Sequence, residues 1–579
     1  MTSAALPAPR LASLRSAVVT DRVAIGALGL LFVALAVLTW GAWGDLGQDT
    51  GYDLLAGSRV AHGELPYVDF VYYYGPLAPF VLGLAAWIGG AGVGSAIAVG
   101  LAISCVIVGL TYALARTYCE PLPAALAAAI VAGVGFAPTN LSFVLPHTET
   151  ATFGIACLLL FVLGLSRYDD GASARWLVAA GIAGGLAALT RPEVELAFVV
   201  ATIVWLAVRL RASASTRREF VLLVAPAAAI PALVYGAFLT QISFHRLAFE
   251  NLYPVDALRA AGNHVIRLHA PLTASSFAHL GLRALAYAAG VAALIAVATL
   301  LEKRKSLLAP ALLVAALACV VALMRPETTR YYLGYAYEWI PIGAPLLLAY
   351  CIFRGQRRGV AELAVLTVLA ALTYDTFTLQ ATRAQPSVYL APFVAVLLVR
   401  LHLFELGRTH GVRVLGAAWL AFLAVAGIGL AVHDARAEVP VRGPGGAISA
   451  SRVDAPAYQG ALTAIEANTR PGEAILLAPQ LTALYTLSGR TDALPQLSLL
   501  PGALADVGAE RTAISKLSRV RLVVIDRRRF TEYGHTTFGA SFDRVLGAWI
   551  QRHFVRVATF GAQAPGGRVL DVMKRRRGL

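Results

Sequence analysis

Charge is scarce in this chain. Only 14% of its 579 residues are Asp, Glu, Lys or Arg, against roughly 25% in an average soluble domain. With 58% hydrophobic residues and a mean hydropathy of +0.69, a water-soluble globule is excluded. Acids are the rarer sign, 33 against 48 basic residues. In a soluble domain that surplus would point to nucleic acid. Here the basic residues sit in short loops between apolar runs, the pattern of the positive-inside rule, and no nucleic-acid partner is expected. Cysteine is also scarce: Cys105, Cys119, Cys157, Cys319 and Cys351 lie in or beside apolar segments, with no CxxC pair and no histidine at metal-ligand spacing. Neither a disulfide framework nor a zinc site is expected. No clear cleavage site follows the first apolar stretch, which is too long for a signal-peptide core and reads as an uncleaved first span.

What the chain has in abundance is apolar length. Runs of about 20 residues, enough to cross a hydrocarbon core roughly 30 Å thick, recur from Val23 to Val432. Thirteen candidate spans follow: residues 23–44, 95–115, 121–138, 150–166, 176–190, 194–208, 219–240, 279–301, 307–324, 339–353, 360–376, 388–404 and 414–432. With Arg10, Arg15 and Arg22 holding the N-terminus on the cytoplasmic side, the inner loops collect clusters such as Arg209, Arg211, Arg217 and Arg218, or Lys303, Arg304 and Lys305. This asymmetry requires residues 76–90 to lie on the outer face as an amphipathic or re-entrant helix, because a crossing there would invert every later loop.

Composition changes after Val432. Residues 433–452, with Val441-Arg442-Gly443-Pro444-Gly445-Gly446, read as a linker. Residues 453–579 alternate short apolar runs with helical patterns: strands over 474–477, 520–525, 555–560 and 569–572, helices over 457–467, 504–517 and 542–553. The expected fold is thus a polytopic α-helical membrane domain, residues 1–432, followed by a small α/β domain that the odd span count places outside the cell membrane. Asp526 reads as a polar loop position, and Lys574 to Arg577 as a solvated basic end.

In a membrane chain the informative ionisable groups are those gathered at one water interface. The densest set is the first outer loop, residues 45–94, with Asp45, Asp49, Asp53, Glu64 and Asp69 near its start. Asp49 is placed to cap a helix that begins at Thr50 and stops at Gly63, and Asp53 lies one turn along on the same face. Asp49 as a plain cap is the competing reading. The second outer loop carries Pro-His-Thr-Glu-Thr, with His147 and Glu149, and here too simple capping of the next span competes with chemistry. No lysine falls in the outer loops, so an anion there has to be met by Arg191, Arg246 with His245, or Arg330. Arg330 opens an aromatic run with Tyr331 and Tyr332, while Arg191 has ion-pair partners nearby in Glu193 and Glu195.

A first span followed by a long acidic outer loop, then GELPYVDFVYYYGPL (residues 63–77), FVLPHTETATFG (143–154), GLAALTRPE (185–193) and, in the tail, LYTLSGR (484–490), resembles the GT-C superfamily of polyprenyl-phosphate-sugar glycosyltransferases. The bacterial dolichyl-phosphate-mannose-protein mannosyltransferase-like members are the most similar. The resemblance implies an inverting transfer of a sugar from a polyprenyl-phosphate donor to a hydroxyl of an envelope glycan, lipid or protein. It implies Asp49 as general base with Asp45 in reserve, Glu149 as a second acid, and Arg330, Arg191, Arg246 and His245 around the departing phosphate. Asp53, Asp69, His147, Tyr331 and Tyr332 are left for acceptor or sugar. No cofactor is required by this chemistry, and a divalent metal stays open. Two alternatives are a flippase for lipid-linked sugars, which would carry charge at mid-membrane, and an envelope polysaccharide polymerase or ligase.

Overall fold

In the computed structural model the described residues are 11–47, 50–139, 141–211, 216–260, 274–330, 349, 368, 385–400, 410–561 and 567–576. Two of the expected spans, 339–353 and 360–376, fall outside them but for residues 349 and 368. The membrane part comprises α1 (Leu11–Leu38), α2 (Thr50–Ala61), α3 (Leu77–Gly89), α4 (Val93–Ala115), α5 (Pro121–Gly135), α6 (Glu149–Asp169), α7 (Arg175–Ala187), α8 (Pro192–Arg211), α9 (Thr216–Leu239), α10 (Phe244–Leu247), α11 (Val255–Ala260), α12 (Ala274–Lys303), α13 (Leu308–Met324), α14 (Gln385–Arg400) and α15 (His410–Ala435). Proline opens α5 and α8, where its missing N–H is one the helix could not use. Within the described residues, five helical stretches are both long and apolar enough to cross a bilayer: 20–38, 93–115, 149–169, 217–239 and 413–435. Shorter apolar helices include α3, α5, α7 and α13. At about 1.5 Å per residue the 13-residue α3 is some 20 Å long, short of a roughly 30 Å hydrocarbon core.

Helices approach closely where side chains vanish. A methyl group at Gly181 of α7 would lie 2.3 Å from the carbonyl oxygen of Leu223 in α9, and one at Gly133 of α5 would lie 2.8 Å from the amide nitrogen of Ile428 in α15. Without a hydrophobic drive between helices in lipid, such close contact is what holds them.

The stretch read as a linker is structured. Residues 438–451 form an antiparallel hairpin, β1 (Glu438–Gly443) with β2 (Gly446–Ser451), turned at Pro444-Gly445, with Gly446 opening β2 at a φ of +125°. The hairpin grips the membrane part: Ser449 Oγ lies 2.9 Å from the carbonyl oxygens of both Ala42 and Gly44, and Val93 N–H donates to Gly445 O at 2.8 Å. Glycine and proline signalled a turn, and the absence of contrast with neighbouring loops hid the strands beside it.

The rest of the tail is α16 (Ala455–Asn468), β3 (Ala474–Ala478), α17 (Ala483–Ser488), β4 (Thr491–Asp492), α18 (Val507–Lys516), β5 (Leu522–Asp526), α19 (Arg544–His553), β6 (Phe554–Phe560) and β7 (Leu570–Arg575). Five strands form one sheet in the order β4-β3-β5-β7-β6, parallel through β4, β3 and β5 and antiparallel beyond. Side chains alternate across a strand, and here the two faces have different company. Leu476 and Val523 pack with Leu517, Leu546 and Ile550 under α18 and α19. Ile475, Leu477, Leu522, Val524 and Val572 join a core that runs without a break into Leu46, Tyr72 and the membrane helices. The basic end is part of this sheet: Lys574 and Arg575 lie in β7, and Arg575 Nη1 donates to Ser518 O at 2.5 Å.

Asp543, the residue before α19, is buried with a φ of +49°, and its Oδ2 has no hydrogen-bond partner among the described residues. Burial, then nearby Glu510, pushes its carboxyl up to about 8. A folded-state value above the unfolded one contributes stability that is present at low pH and is lost as pH rises through about 8. Asp543→Asn keeps the size and tolerates a positive φ. It is therefore expected to raise the thermal midpoint at pH 8 by several degrees and to leave it unchanged near pH 4, measured by unfolding of the detergent-solubilised protein at both values.

Candidate functional site

The first outer loop starts with a turn. Trp43 bridges Thr139, Gly47 N–H donates to Asp45 Oδ1 at 2.8 Å, and Asp45 N–H donates to Thr50 Oγ1 at 3.2 Å. Asp49 lies outside the described residues, between a described Gly47 and a described Thr50. The helix it was expected to begin is α2, and Gly63 follows it with a φ of +88° in the stop position.

Asp53, placed by sequence on the acceptor side, is buried, 1% exposed. Its two oxygens are engaged: Tyr72 Oη donates to Oδ1 and the backbone N–H of Glu149 donates to Oδ2, both at 2.5 Å. Glu149 is the first residue of α6, whose own N-cap, Thr148, makes no side-chain cap bond. The cap of α6 is thus supplied from 96 positions away, and a carboxylate at a helix N-terminus is favoured by the unsatisfied amides there. Capping by His147 and Glu149 was the competing reading from sequence, and the bond to the Glu149 amide comes from Asp53 instead. Glu149 is itself buried and accepts from Thr152 Oγ1 at 3.4 Å. Thr50 Oγ1 donates to Pro146 O at 3.2 Å, tying α2 to the same loop.

Tyrosines close the cluster. Tyr72 stacks on Tyr52 at 5.4 Å between centroids, and its amide donates to Asn251 Oδ1 at 3.0 Å. Burial, then the Asp53 charge, pushes the Tyr72 hydroxyl well above its ordinary range, so it stays a donor. Tyr74 lies under the Arg191 guanidinium at 5.1 Å, and Gly75 N–H donates to Thr190 O.

The structure therefore brings three of the sequence segments together: the first loop, the His147–Glu149 loop and the Thr190–Arg191 corner. The candidate cations are distributed around it. Arg191 is ion-paired with Glu193, the plain alternative weighed from sequence, and its Nη1 lies 3.5 Å from Thr148 Oγ1. Arg330 pairs with Asp434 at the end of α15 and is 3.6 Å from Glu327. Arg246 Nη2 donates to the carbonyl of Val68 at 2.8 Å, a neutral partner. His245 is exposed and 3.5 Å from Glu250. Asp69 serves its own turn, accepting from Leu65 N–H at 2.7 Å. Tyr331 and Tyr332 lie outside the described residues. No group of three or more metal-ligating side chains occurs among the described residues.

Sequence reasoning missed the partners from the tail. Arg59 Nη1 donates to Asp492 Oδ2 at 2.8 Å, and Val71 N–H donates to Pro495 O at 2.9 Å. Burial pushes Asp492 up to about 6, with Arg59 pulling the other way. Asp526 is not an open loop residue: it is buried, held by Arg568 at 2.6 Å. Glu438 of β1, flanked by Asp45 and Asp434, is pushed up to about 7, by burial first and then by those two charges. Such pairings link residues hundreds of positions apart and leave no periodic or spacing signal.

A helical membrane part thus has its first acidic loop packed against an α/β tail. Residues 74–235 match the family model described as dolichyl-phosphate-mannose-protein mannosyltransferase, and the stretches 143–154 and 185–193 that carried the resemblance in sequence lie within that segment. Glu149 and Arg191 fall inside the matched segment, and Asp45, Asp49 and Asp53 just ahead of it. A search of curated proteins finds no match. Solved structures similar to the chain include archaeal oligosaccharyltransferase AglB from Archaeoglobus fulgidus in complex with an inhibitory peptide and a dolichol-phosphate, with 17% identity, TM-score 0.48, and coverage of 94% of this chain and 74% of that one. They also include ArnT from Cupriavidus metallidurans bound to undecaprenyl phosphate, with 14% identity, TM-score 0.47, and coverage of 94% and 97%.

Hydrogen bonds to a buried carboxylate contribute about 1.5–3 kcal/mol each. Tyr72→Phe removes one from Asp53 and leaves the other, so a stability loss of this size, read as a midpoint lowered by several degrees, is expected in the purified protein. An unchanged midpoint would show that Tyr72 does not hold Asp53.

Proposed function

We propose that the chain is an inverting glycosyltransferase that moves a sugar from a polyprenyl-phosphate donor to a hydroxyl acceptor at the outer face of the cell membrane. The observation that carries this reading is the convergence of the acidic first loop, the Glu149 loop and the Arg191 corner, in and just ahead of the segment that matches the mannosyltransferase family model. The cytoplasmic N-terminus and the extracytoplasmic tail follow from the loop charges.

Chemically, a polyprenyl phosphate leaves readily, and the acceptor hydroxyl needs its proton removed. In the proposed step a carboxylate of the first loop, Asp49 with Asp45 in reserve, takes that proton. The acceptor oxygen then bonds the anomeric carbon from the face opposite the phosphate, and the carbon–phosphate-oxygen bond breaks with its electron pair. One displacement inverts the centre. Glu149 stands beside Asp53 beneath this loop, within reach of a role in holding the sugar.

The departing phosphate requires a cation that is not already neutralised. Arg191 faces Glu193 and Arg330 faces Asp434, whereas Arg246 contacts a neutral carbonyl. Phe244, Phe249 and Tyr253, within seven positions of it in the chain, are exposed and offer apolar surface to a prenyl chain. Arg246 is therefore the first choice for the phosphate, with Arg191 and Arg330 behind it. A flippase, the second reading from sequence, has no observation in its favour here.

Two measurements test this with a synthetic polyprenyl-phosphate sugar and the purified protein. Asp49→Asn keeps the size and capping capacity but cannot accept the proton, so turnover is expected to fall by about two to four orders of magnitude in a folded protein. Wild-type turnover in both Asp49→Asn and Asp45→Asn would remove the first loop from the chemistry. Arg246→Ala is expected to weaken donor binding and turnover together, with Arg246→Lys recovering part. A fully active Arg246→Ala beside a dead Arg330→Ala or Arg191→Ala would move the phosphate to that arginine.

A further inference from the structure

The loop that carries Asp45 and leads into Asp49 is gripped by one of the last residues of the chain. Arg568, just ahead of β7, has a side chain that is 15% exposed. Its Nη1 donates to Asp526 Oδ2 at 2.6 Å, its backbone N–H donates to Asp454 Oδ1 at 2.8 Å, and its Nη2 donates to the carbonyl oxygen of Gly47 at 3.2 Å. Gly47 is pressed against this fork: a methyl group there would lie 2.4 Å from Arg568 Nη2 and 2.5 Å from Tyr458 Oη. The Gly47 amide in turn donates to Asp45 Oδ1. One residue, Gly47, therefore connects the guanidinium to the Asp45 carboxylate, two positions before Asp49 in the sequence.

The charged groups around Arg568 are Asp526 from β5, Asp454 ahead of α16 and Asp45 from the loop, with the Tyr458 hydroxyl beside them. Asp526 is itself oriented, accepting from Arg528 N–H at 2.9 Å. An arginine suits this place because its rigid fork can bond a carboxylate and a carbonyl at once, which an ammonium does less well.

We propose that Arg568, oriented by Asp526, is a positioning residue: through the Gly47 carbonyl the tail domain holds the first-loop turn that carries Asp45 for proton transfer. This rests on the glycosyltransferase reading above, and it assigns the α/β domain a direct part in turnover rather than a cover over the site.

The test uses the full-length protein in detergent. The paired variant Arg568→Gln with Asp526→Asn leaves no uncompensated buried charge, Arg568→Lys keeps the charge and loses the fork, and Arg511→Gln on the exposed side of α18 is the control. With a synthetic polyprenyl-phosphate sugar, kcat is expected to fall about 100-fold in the paired variant, the scale of a roughly 1 Å misplacement, while KM for the donor stays within twofold. Arg568→Lys should fall between, and the control should match wild type. Hydrogen exchange of amides 44–47 should quicken in both Arg568 variants. Wild-type kcat with wild-type exchange in the paired variant overturns the proposal, as does a rise in KM with kcat unchanged. Because exchange reads the grip without any reaction, a wild-type protein that transfers no sugar would instead overturn the glycosyltransferase reading, and the grip would be judged on exchange alone.

Discussion

The carboxylate of Asp53 is the joint on which the site is built. It bonds the first amide of α6 and the Tyr72 hydroxyl at once, so it fixes three chain segments relative to one another: α2, the aromatic stretch after it, and the longest well-buried helix of the membrane part. Burying a carboxylate is costly unless its oxygens are engaged. Here a hydroxyl and a helix N-terminus engage them, and the same contacts that make the charge tolerable make the geometry unique. The arrangement also accounts for a helix that begins with a buried glutamate and no local cap.

Outside that joint the loop is shared property. From the membrane side it is held by Thr139, Pro146 and Thr190, and from the tail by Ser449, Asp492, Pro495 and Arg568. The two faces of the tail sheet make this possible. One is closed by its own helices, and the other continues into the membrane core, so the domain is a wall of the site and not a separate globule on a tether.

Much of the layout was legible in sequence, because apolar length, loop charge and strand alternation are local signals. The long apolar helices overlap expected spans, and strands read at 474–477, 520–525, 555–560 and 569–572 are found within one to three residues of those limits. The gathering of acids in the first loop was legible too, since it needs only the sequence. What could not be read was which acid did what. Asp53 looked like a neighbour of Asp49 and is instead buried, because its partner is an amide 96 residues on. Asp526 and the glycine-rich stretch near 445 looked open, because the chain that covers them is likewise distant. Burial by long-range packing has no period.

The bond between Gly47 and Arg568 spans 521 positions, which has a consequence for biogenesis. A ribosome delivers Gly47 well before Arg568, so while the residues between them are made the acidic turn stands without that partner. The two halves of the contact are then made far apart in time although they lie side by side in space.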